Sequence, residues 1–256
     1  MSQLRFASLG SGSRGNGTLI GSHQTLVLMD CGFRVNEVIR RMARLQVAPQ
    51  QLAGILVTHE HSDHAGGVLK LARRYRLPVW MTGGTFDALG RPKFPHLTLI
   101  NPHEAFAIGD LQVQPYPVPH DAREPCQYVF SDGDLRLGVL SDAGEITVHI
   151  RERLSACDAL LLEFNHCPEM LALGPYPPAL QARVGGRLGH LNNQQAVGLL
   201  TAIDRSRLQH LVAAHISEKN NLPQRVHAAV AEQLPAEAET LVLAHQDLGL
   251  DWRTLS

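Results

Sequence analysis

Residues 58–67 read Thr-His-Glu-His-Ser-Asp-His-Ala-Gly-Gly, in which three imidazoles and the carboxylate of Asp63 fall within six positions. These groups belong to His59, His61, Asp63 and His64, spaced as H-x-H-x-D-H. Neutral imidazole nitrogen and carboxylate oxygen are good ligands for zinc and other first-row divalent ions. Four such groups exceed what one ion usually takes from a short loop, and a catalytic ion also keeps a position open for water. The spacing therefore predicts two adjacent ions that share this loop and take further ligands from elsewhere.

The chain on either side of the motif predicts a strand before it and a helix after it. The run 52–57 is mostly apolar, as in a buried strand, and the run 67–75 has apolar residues at helical spacing. His59 and His61 lie two residues apart, so both can point to the same side of an extended chain. Asp63 stands near the helix start, where a carboxylate can also accept backbone N–H bonds. This agreement between strand, turn and helix argues against a His-rich surface turn that binds no metal.

The motif resembles the first metal motif of the metallo-β-lactamase fold superfamily. Three further stretches narrow the resemblance to the YycJ/WalJ-type branch of small metallohydrolases: Gly-Ser-Gly-Ser-Arg-Gly-Asn at 10–16, Asn-His at 165–166 and Gly-His-Leu at 189–191. The likeness covers nearly the whole chain. It implies an α/β fold of the αββα type, the metallo-β-lactamase sandwich, in which two mixed β-sheets pack face to face with helices on their outer faces. It also implies a single domain over residues 1–256.

The resemblance implies the remaining metal ligands, each of which follows a predicted strand. It makes His120 the third motif, Asp142 the carboxylate that bridges both ions, and His215 the last ligand. Asp30, after another strand, is implied to support the metal loop from behind the ligands. The implied ligands of the first ion are His59, His61, His120 and Asp142. The implied ligands of the second ion are Asp63, His64, Asp142 and His215.

The opening loop also matches a different motif. Its glycines fit G-x-G-x-x-G, and Asp30 follows at a distance that suits a ribose-binding acid. A dinucleotide site needs a helix directly after the glycines, whereas this loop is followed by two predicted strands, 18–20 and 25–29. The resemblance instead implies a loop whose hydroxyls and amides hold substrate phosphate, and a plain tight turn between strands is an equal alternative. The implied substrate-binding residues here are Ser11, Ser13 and Asn16.

Three residues are expected to act in catalysis. Asp63, beside its role as a ligand, is expected to orient the attacking hydroxide. His190, near the start of a predicted helix, can meet a phosphate oxygen, and His166 faces the site in the resembling branch. For both histidines we expect substrate binding or proton transfer, with a purely structural role as the alternative. Cys167 stands where the branch commonly has Asp, so any role of that Asp is absent here.

A centre of this kind predicts hydrolysis. Two neighbouring ions lower the pKa of a bridging water and stabilise the attacking and leaving oxygens, so no Ser or Cys nucleophile is needed. The resemblance favours attack on a phosphodiester and implies 5′-to-3′ exonuclease action on DNA. The alternatives are a small-molecule (cyclic or alkyl) phosphodiesterase, a thioester, lactone or lactam hydrolase, and a metal-binding module without turnover. Zinc suits the imidazoles best, with manganese or iron as alternatives, because affinity order does not decide loading in cells.

Length and composition are consistent with such an enzyme. The chain has 256 residues, 44% of them hydrophobic, and a formal net charge of −1, so it is not a polycation. It contains no apolar run long enough to span a bilayer, and its beginning does not resemble a signal peptide. Its four scattered cysteines fit a reducing compartment better than a disulfide framework. We therefore expect a cytoplasmic protein without membrane contact, whose oligomeric state the sequence leaves open.

Overall fold

The computed structural model describes residues 3–256, and its strands and helices are numbered in chain order. The strands are β1 Arg5–Gly10, β2 Gly17–Gly21, β3 Leu26–Met29, β4 Gly54–Leu56, β5 Pro78–Thr82, β6 His96–Ile100, β7 Phe106–Ile108, β8 Leu111–Pro117, β9 Cys126–Ser131, β10 Arg136–Leu140, β11 Ala159–Glu163, β12 His210–Ala214, β13 Val242–Leu243 and β14 Leu250–Thr254. The helices are α1 Val35–Arg44, α2 Ser62–Ala65, α3 Val68–Tyr75, α4 Gly83–Ala88, α5 Val148–Leu154, α6 Pro168–Leu173, α7 Pro178–Val184, α8 Asn193–Ala202, α9 Pro223–Gln233 and α10 Pro235–Thr240.

Within this part of the chain the strands form two mixed sheets of seven strands each. The first has the order β14-β1-β2-β3-β4-β5-β6, in which β3 to β6 are parallel and the others pair antiparallel. The second has the order β13-β12-β11-β10-β9-β8-β7, in which β10 to β13 are parallel. Because neighbouring parallel strands end at the same edge of a sheet, the loops that follow β3, β4, β10, β11 and β12 gather at two sheet edges.

Alternation of side chains along the strands produces four layers. Phe6 of β1 packs between the two sheets, whereas Leu9 of the same strand packs beneath α1 and α3. In the second sheet Leu161 of β11 points into the layer between the sheets, and Leu160 points to the outer layer that contains α5, α8 and α9. Both faces of each sheet are thus covered, which is why β2 and β11 are buried along their whole length. The predicted αββα arrangement is confirmed.

Some local predictions were wrong. The prolines of segment 85–96 predict an irregular conformation, but α4 reaches into this segment, because the Thr82 hydroxyl caps the helix by accepting from Thr85 N. The sequence predicts a final strand at 240–244, where β13 lies, but β14 follows it and forms the edge of the first sheet by pairing with β1. The sequence of β14 is half-exposed and contains charged residues, so it lacks the apolar pattern that predicts a strand. By contrast, one prediction about the glycine-rich loop is confirmed. The loop leads from β1 directly into β2, so no helix follows the glycines as a dinucleotide site requires.

Among the helices of residues 3–256, none combines the length and the apolar character needed to cross a bilayer.

Candidate metal centre

All seven predicted metal ligands come together beside the ends of β4, β8, β10 and β12. Their ligand atoms form overlapping groups in which every atom lies within 4.8 Å of the others. Three groups contain only predicted ligands: His59 with His61 and His120, His59 with His64 and Asp142, and Asp63 with His64 and His215. A fourth group joins Asp142 and His215 to Glu163 and His190. The two implied ligand sets are therefore adjacent, and Asp142 has neighbours from both.

The first set is oriented by backbone carbonyls. His120 donates from Nδ1 to the Gly189 carbonyl at 3.0 Å, which leaves its Nε2 as the acceptor nitrogen. His61 donates from Nε2 to the Asp121 carbonyl at 3.2 Å, and its Nδ1 lies 3.3 Å from Nε2 of His120. In each ring one nitrogen is held by a fixed oxygen, so the other carries the lone pair that a metal ion requires.

Asp30 supports the metal loop, as the resemblance implies. Its carboxylate accepts from Thr58 N at 2.9 Å, from Thr58 Oγ1 at 2.9 Å and from His64 Nδ1 at 2.8 Å. Because the Thr58 hydroxyl gives its proton to Asp30, it accepts from His59 Nδ1, 3.0 Å away. One buried carboxylate thus fixes the rings of two predicted ligands.

Asp142 and Asp63 complete the second set. Asp142 Oδ2 lies 3.0 Å from His64 Nε2, and Asp63 Oδ2 lies 3.6 Å from the same nitrogen and 3.7 Å from His215 Nε2. Burial opposes ionisation of Asp142, but His215 and His64 outweigh it and hold the pKa of Asp142 well below its usual range. The centre therefore offers ionised carboxylates beside imidazole nitrogens, the donor set of first-row divalent ions.

Two buried nitrogens indicate that these residues fit metal ions. In the described chain Nε2 of His59 and Nε2 of His215 are buried and have no hydrogen-bond partner. An unpaired buried polar atom costs about 1–3 kcal/mol, so such atoms are rare unless a ligand completes them. Burial also lowers the pKa of His59 and of His120, which favours the neutral imidazole that binds metal.

Glu163 is the residue that sequence reasoning missed. It ends β11, is fully buried, and places Oε1 2.7 Å from His190 Nδ1 and 3.1 Å from His215 Nδ1. Its Oε2 accepts from the backbone N of Ala143 at 3.1 Å and of Leu191 at 3.3 Å. The sequence does contain a signal for it, a single carboxylate inside the otherwise apolar run Ala-Leu-Leu-Leu-Glu-Phe. A charged group buried in a strand needs partners, which makes such a residue a candidate for the site.

The two histidines predicted to act beside the metals occupy different positions. His190 belongs to a ligand group, has a side chain 21% exposed, and is oriented by Glu163. Burial opposes protonation of His190, but Glu163 and Asp142 outweigh it and raise its pKa. His166 lies in none of the ligand groups of residues 3–256 and is buried, with an unpaired Nδ1. Burial lowers the pKa of His166 to about 4, and its contact with substrate stays a prediction.

The glycine-rich loop reaches the centre through two of its three predicted residues. Asn16 Nδ2 lies 3.0 Å from His64 Nε2 and 3.4 Å from Asp63 Oδ2. Ser11 Oγ accepts from the backbone N of His215 at 2.8 Å, so its hydroxyl proton is left to donate elsewhere. Ser13 is exposed. The structure brings Ser11 and Asn16 to the predicted ligands, and phosphate binding by the loop stays a prediction.

Three residues of the centre have left-handed backbone. Asp30, Asp142 and His215, which follow β3, β10 and β12, have φ values of 61°, 53° and 49°. Asp tolerates this conformation, whereas for most other residues it costs on the order of 1–3 kcal/mol and persists only where the surroundings impose it. The turns aim all three side chains into one space, and packing of the neighbouring strands holds them there.

Comparisons with known proteins agree with this geometry. The family model described as "Beta-lactamase superfamily domain" matches residues 25–216. The chain is 31% identical over 237 residues to "Exodeoxyribonuclease YycJ" of Bacillus anthracis, covering 90% of this chain and 89% of that protein. It is 29% identical over 239 residues to "Exodeoxyribonuclease WalJ" of Streptococcus pneumoniae, covering 90% and 88%.

A solved structure shows the same fold. The metallo-β-lactamase fold protein YhfI from Bacillus subtilis superimposes with a TM-score of 0.75 at 15% identity, covering 98% of this chain and 99% of that one. At this identity the likeness concerns the fold alone. Taken with the matched family model and the relative at 31% identity, it leads to one conclusion: the chain belongs to the β-lactamase superfamily, in the YycJ/WalJ-type branch of metallohydrolases that its motifs predict.

Proposed function

We propose that this metal-dependent hydrolase is a dinuclear phosphodiesterase that degrades DNA in the 5′-to-3′ direction. The observation that carries the proposal is the position of Asp142. Its carboxylate shares one ligand group with His59 and His64 and another with His190 and His215. A carboxylate placed between two ligand sets suits a pair of ions that share it. The two relatives named as exodeoxyribonucleases, each matched over 90% of this chain, support DNA as the substrate.

Divalent ions, when bound, make water more acidic and neutralise charge on the phosphate oxygens. The chain's own residues supply orientation and proton transfer. Asp63 stands between His64 and His215, where its carboxylate can orient the attacking water. Nδ1 of His190 lies 2.7 Å from Oε1 of Glu163. A carboxylate at this position stabilises the imidazolium, whose Nε2 can give a proton to the leaving oxygen.

The ligand types indicate the resident metal, and the cysteines indicate the compartment. We propose zinc as the resident metal, with manganese or iron as alternatives, because the ligands are mainly imidazoles. All four cysteines are buried and free, which suits a reducing compartment such as the cytoplasm. We propose a single domain over residues 1–256, because within residues 3–256 a buried core joins side chains of both sheets.

The test incubates purified protein, loaded separately with zinc and with manganese, with 5′-phosphorylated duplex DNA and with bis-p-nitrophenyl phosphate. Loss of nucleotides from the 5′ end is the expected result. An Asp142→Asn protein purified in parallel controls for contaminating nucleases. Cleavage of the small diester with intact DNA would mean that the substrate is a small-molecule phosphodiester. Inactivity on both substrates, with metal bound, would refute the phosphodiesterase proposal.

A further inference from the structure

Residues 168–189, here called the arm, lie beside the first ligand set. The arm contains α6 and α7 and buries few side chains: Leu171 is the only buried residue of α6, and α7 has none. At its end the arm returns to the centre through Gly189, whose carbonyl accepts from His120, and through Leu188, whose carbonyl accepts from Asp121 N at 2.9 Å. The end of the arm is thus fixed relative to predicted ligands, although most of its surface faces solvent.

Arg183, in the last turn of α7, joins the arm to the same ligands. Its Nε donates to Asp121 Oδ2 at 2.5 Å, and Asp121 Oδ1 lies 3.4 Å from His120 Nε2. The Arg183 side chain is 60% exposed. A guanidinium is therefore held at the rim of the centre by a carboxylate that itself touches a predicted ligand.

The terminal nitrogens of Arg183 are unused. A guanidinium has five N–H donors, and the Arg183 side chain makes one hydrogen bond, through Nε, to any residue between 3 and 256. Arg187, four residues further along the arm, differs because Nε and one terminal nitrogen both donate to Glu145, at 2.9 Å and 2.8 Å. Both arginines are exposed and each pairs with its own carboxylate, but Arg183 keeps four N–H donors free, including all those of its terminal nitrogens.

We propose that Arg183 binds a backbone phosphate of the polynucleotide, next to the phosphodiester that is cleaved. This inference rests on the proposed function and adds to it a residue that holds the strand. The planar fork of terminal N–H groups matches phosphate oxygens in pairs. Asp121 stands between the guanidinium and His120, so Arg183 faces a neighbouring phosphate rather than the one bound at the metal centre. Fixing Nε in advance also reduces the entropy lost on binding.

The experiment compares metal-loaded wild-type protein with Arg183→Ala and Arg183→Lys. Two variants are matched controls: Arg187→Ala removes an exposed arginine of the arm whose Nε and one terminal nitrogen are both paired with Glu145, and Arg40→Ala removes an exposed arginine of α1 that is paired with Glu37. The kcat and KM are measured on 5′-phosphorylated DNA, on 5′-hydroxyl DNA and on bis-p-nitrophenyl phosphate. DNA binding is measured separately by fluorescence anisotropy at several salt concentrations.

Arg183→Ala is expected to raise KM for DNA and weaken DNA binding about tenfold, and to reduce the slope of log affinity against log salt by about one. Turnover of bis-p-nitrophenyl phosphate, which has no flanking phosphate, is expected to stay unchanged. Arg183→Lys should recover only part of the loss, because an ammonium lacks the planar fork. Both control variants should remain within about twofold of wild type. An effect confined to 5′-phosphorylated DNA identifies the terminal phosphate as the partner, and an equal effect on both DNAs identifies an internal one.

Three results would overturn the inference: unchanged KM and salt slope in Arg183→Ala, an equal loss on bis-p-nitrophenyl phosphate, or an equal loss in Arg187→Ala. The binding measurement separates this inference from the proposed function. Wild-type protein that binds DNA without degrading it would contradict the proposed function, while anisotropy still decides the role of Arg183. Wild-type protein that neither binds nor degrades DNA would overturn both.

Discussion

Glu163 Oε1 lies 2.7 Å from His190 Nδ1 and 3.1 Å from His215 Nδ1, so one buried carboxylate orients a predicted metal ligand and the histidine beside it. Its second oxygen holds backbone N–H groups next to both Asp142 and His190. Glu163 thereby connects three loops that the sequence separates widely. Losing a partner of this kind typically costs 10- to 100-fold in metal affinity or activity.

Glu163→Gln is expected to reduce metal affinity and kcat within that range of about 10- to 100-fold, because an amide offers one acceptor oxygen where the carboxylate offers two. Metal titration monitored by calorimetry, together with kcat, measures the effect. Glu145→Gln is the control, since Glu145 pairs with an exposed arginine and an ion pair in solvent contributes little to stability. Wild-type affinity and turnover in Glu163→Gln would show that the two contacts are incidental.

Asp142→Asn is expected to abolish turnover on any substrate. The loss should exceed the roughly 100-fold that is typical when a residue hydrogen-bonded to a metal ligand is removed. Asn keeps the shape of the side chain and tolerates the left-handed backbone at this position, where φ is 53°. Asp142→Ala removes the carboxylate as well but adds backbone strain. Activity and circular dichroism of both variants are compared. Normal turnover in the Asn variant would remove Asp142 from the centre.

Gly32→Ala is expected to disrupt the centre without changing a ligand. A Cβ at Gly32 would lie 1.7 Å from the Asp63 carbonyl oxygen and 2.8 Å from Asn16 N, so the metal loop would have to move away from the end of β3. Forced overpacking of this kind typically costs about 1–3 kcal/mol. The measurements are the free energy of unfolding in urea and metal affinity.

Gly198→Ala is the matched control, because a Cβ there meets no atom within 4 Å and the position lies inside α8. Ala is favoured over Gly in a helix by about 1 kcal/mol, so this variant should be as stable as wild type or more stable. Equal behaviour of the two glycine variants would contradict the close approach at Gly32.

Metal removal is expected to lower the melting temperature without unfolding the sheets. At free metal 100 times above its Kd, binding adds about 2.7 kcal/mol to the free energy of unfolding. The sheets themselves are held by buried cores on both of their faces. Thermal unfolding followed by circular dichroism, with chelator and then with zinc restored, measures this difference. Loss of the strand signal on chelation at room temperature would mean that the metals hold the fold itself.

The sequence predicts most of the fold because its patterns are local. Apolar runs predict the buried strands, and the two asparagines at 192 and 193 predict a helix start. In the structure Asn192 is the cap of α8, where its side chain accepts from Gln195 N. The edge strand β14 was not predicted, because an exposed edge strand has only one buried face and a weak periodicity. Helix α4 was missed for a related reason, since its short sequence begins with two glycines.

By itself the sequence determined the chemical types of the ligands, the spacing of the first motif and, through its resemblance to a family, the distant ligands His120, Asp142 and His215. Only the tertiary structure decided which residues orient them. Glu163 reaches His190 and His215 because β11 lies between β10 and β12 as a parallel neighbour, which sets the ends of the three strands side by side. Arg183 reaches the rim of the centre because Asp121 ties the arm to His61 and His120. Contacts of this kind depend on strand order and loop packing, and residues far apart in the chain carry no local pattern that records them.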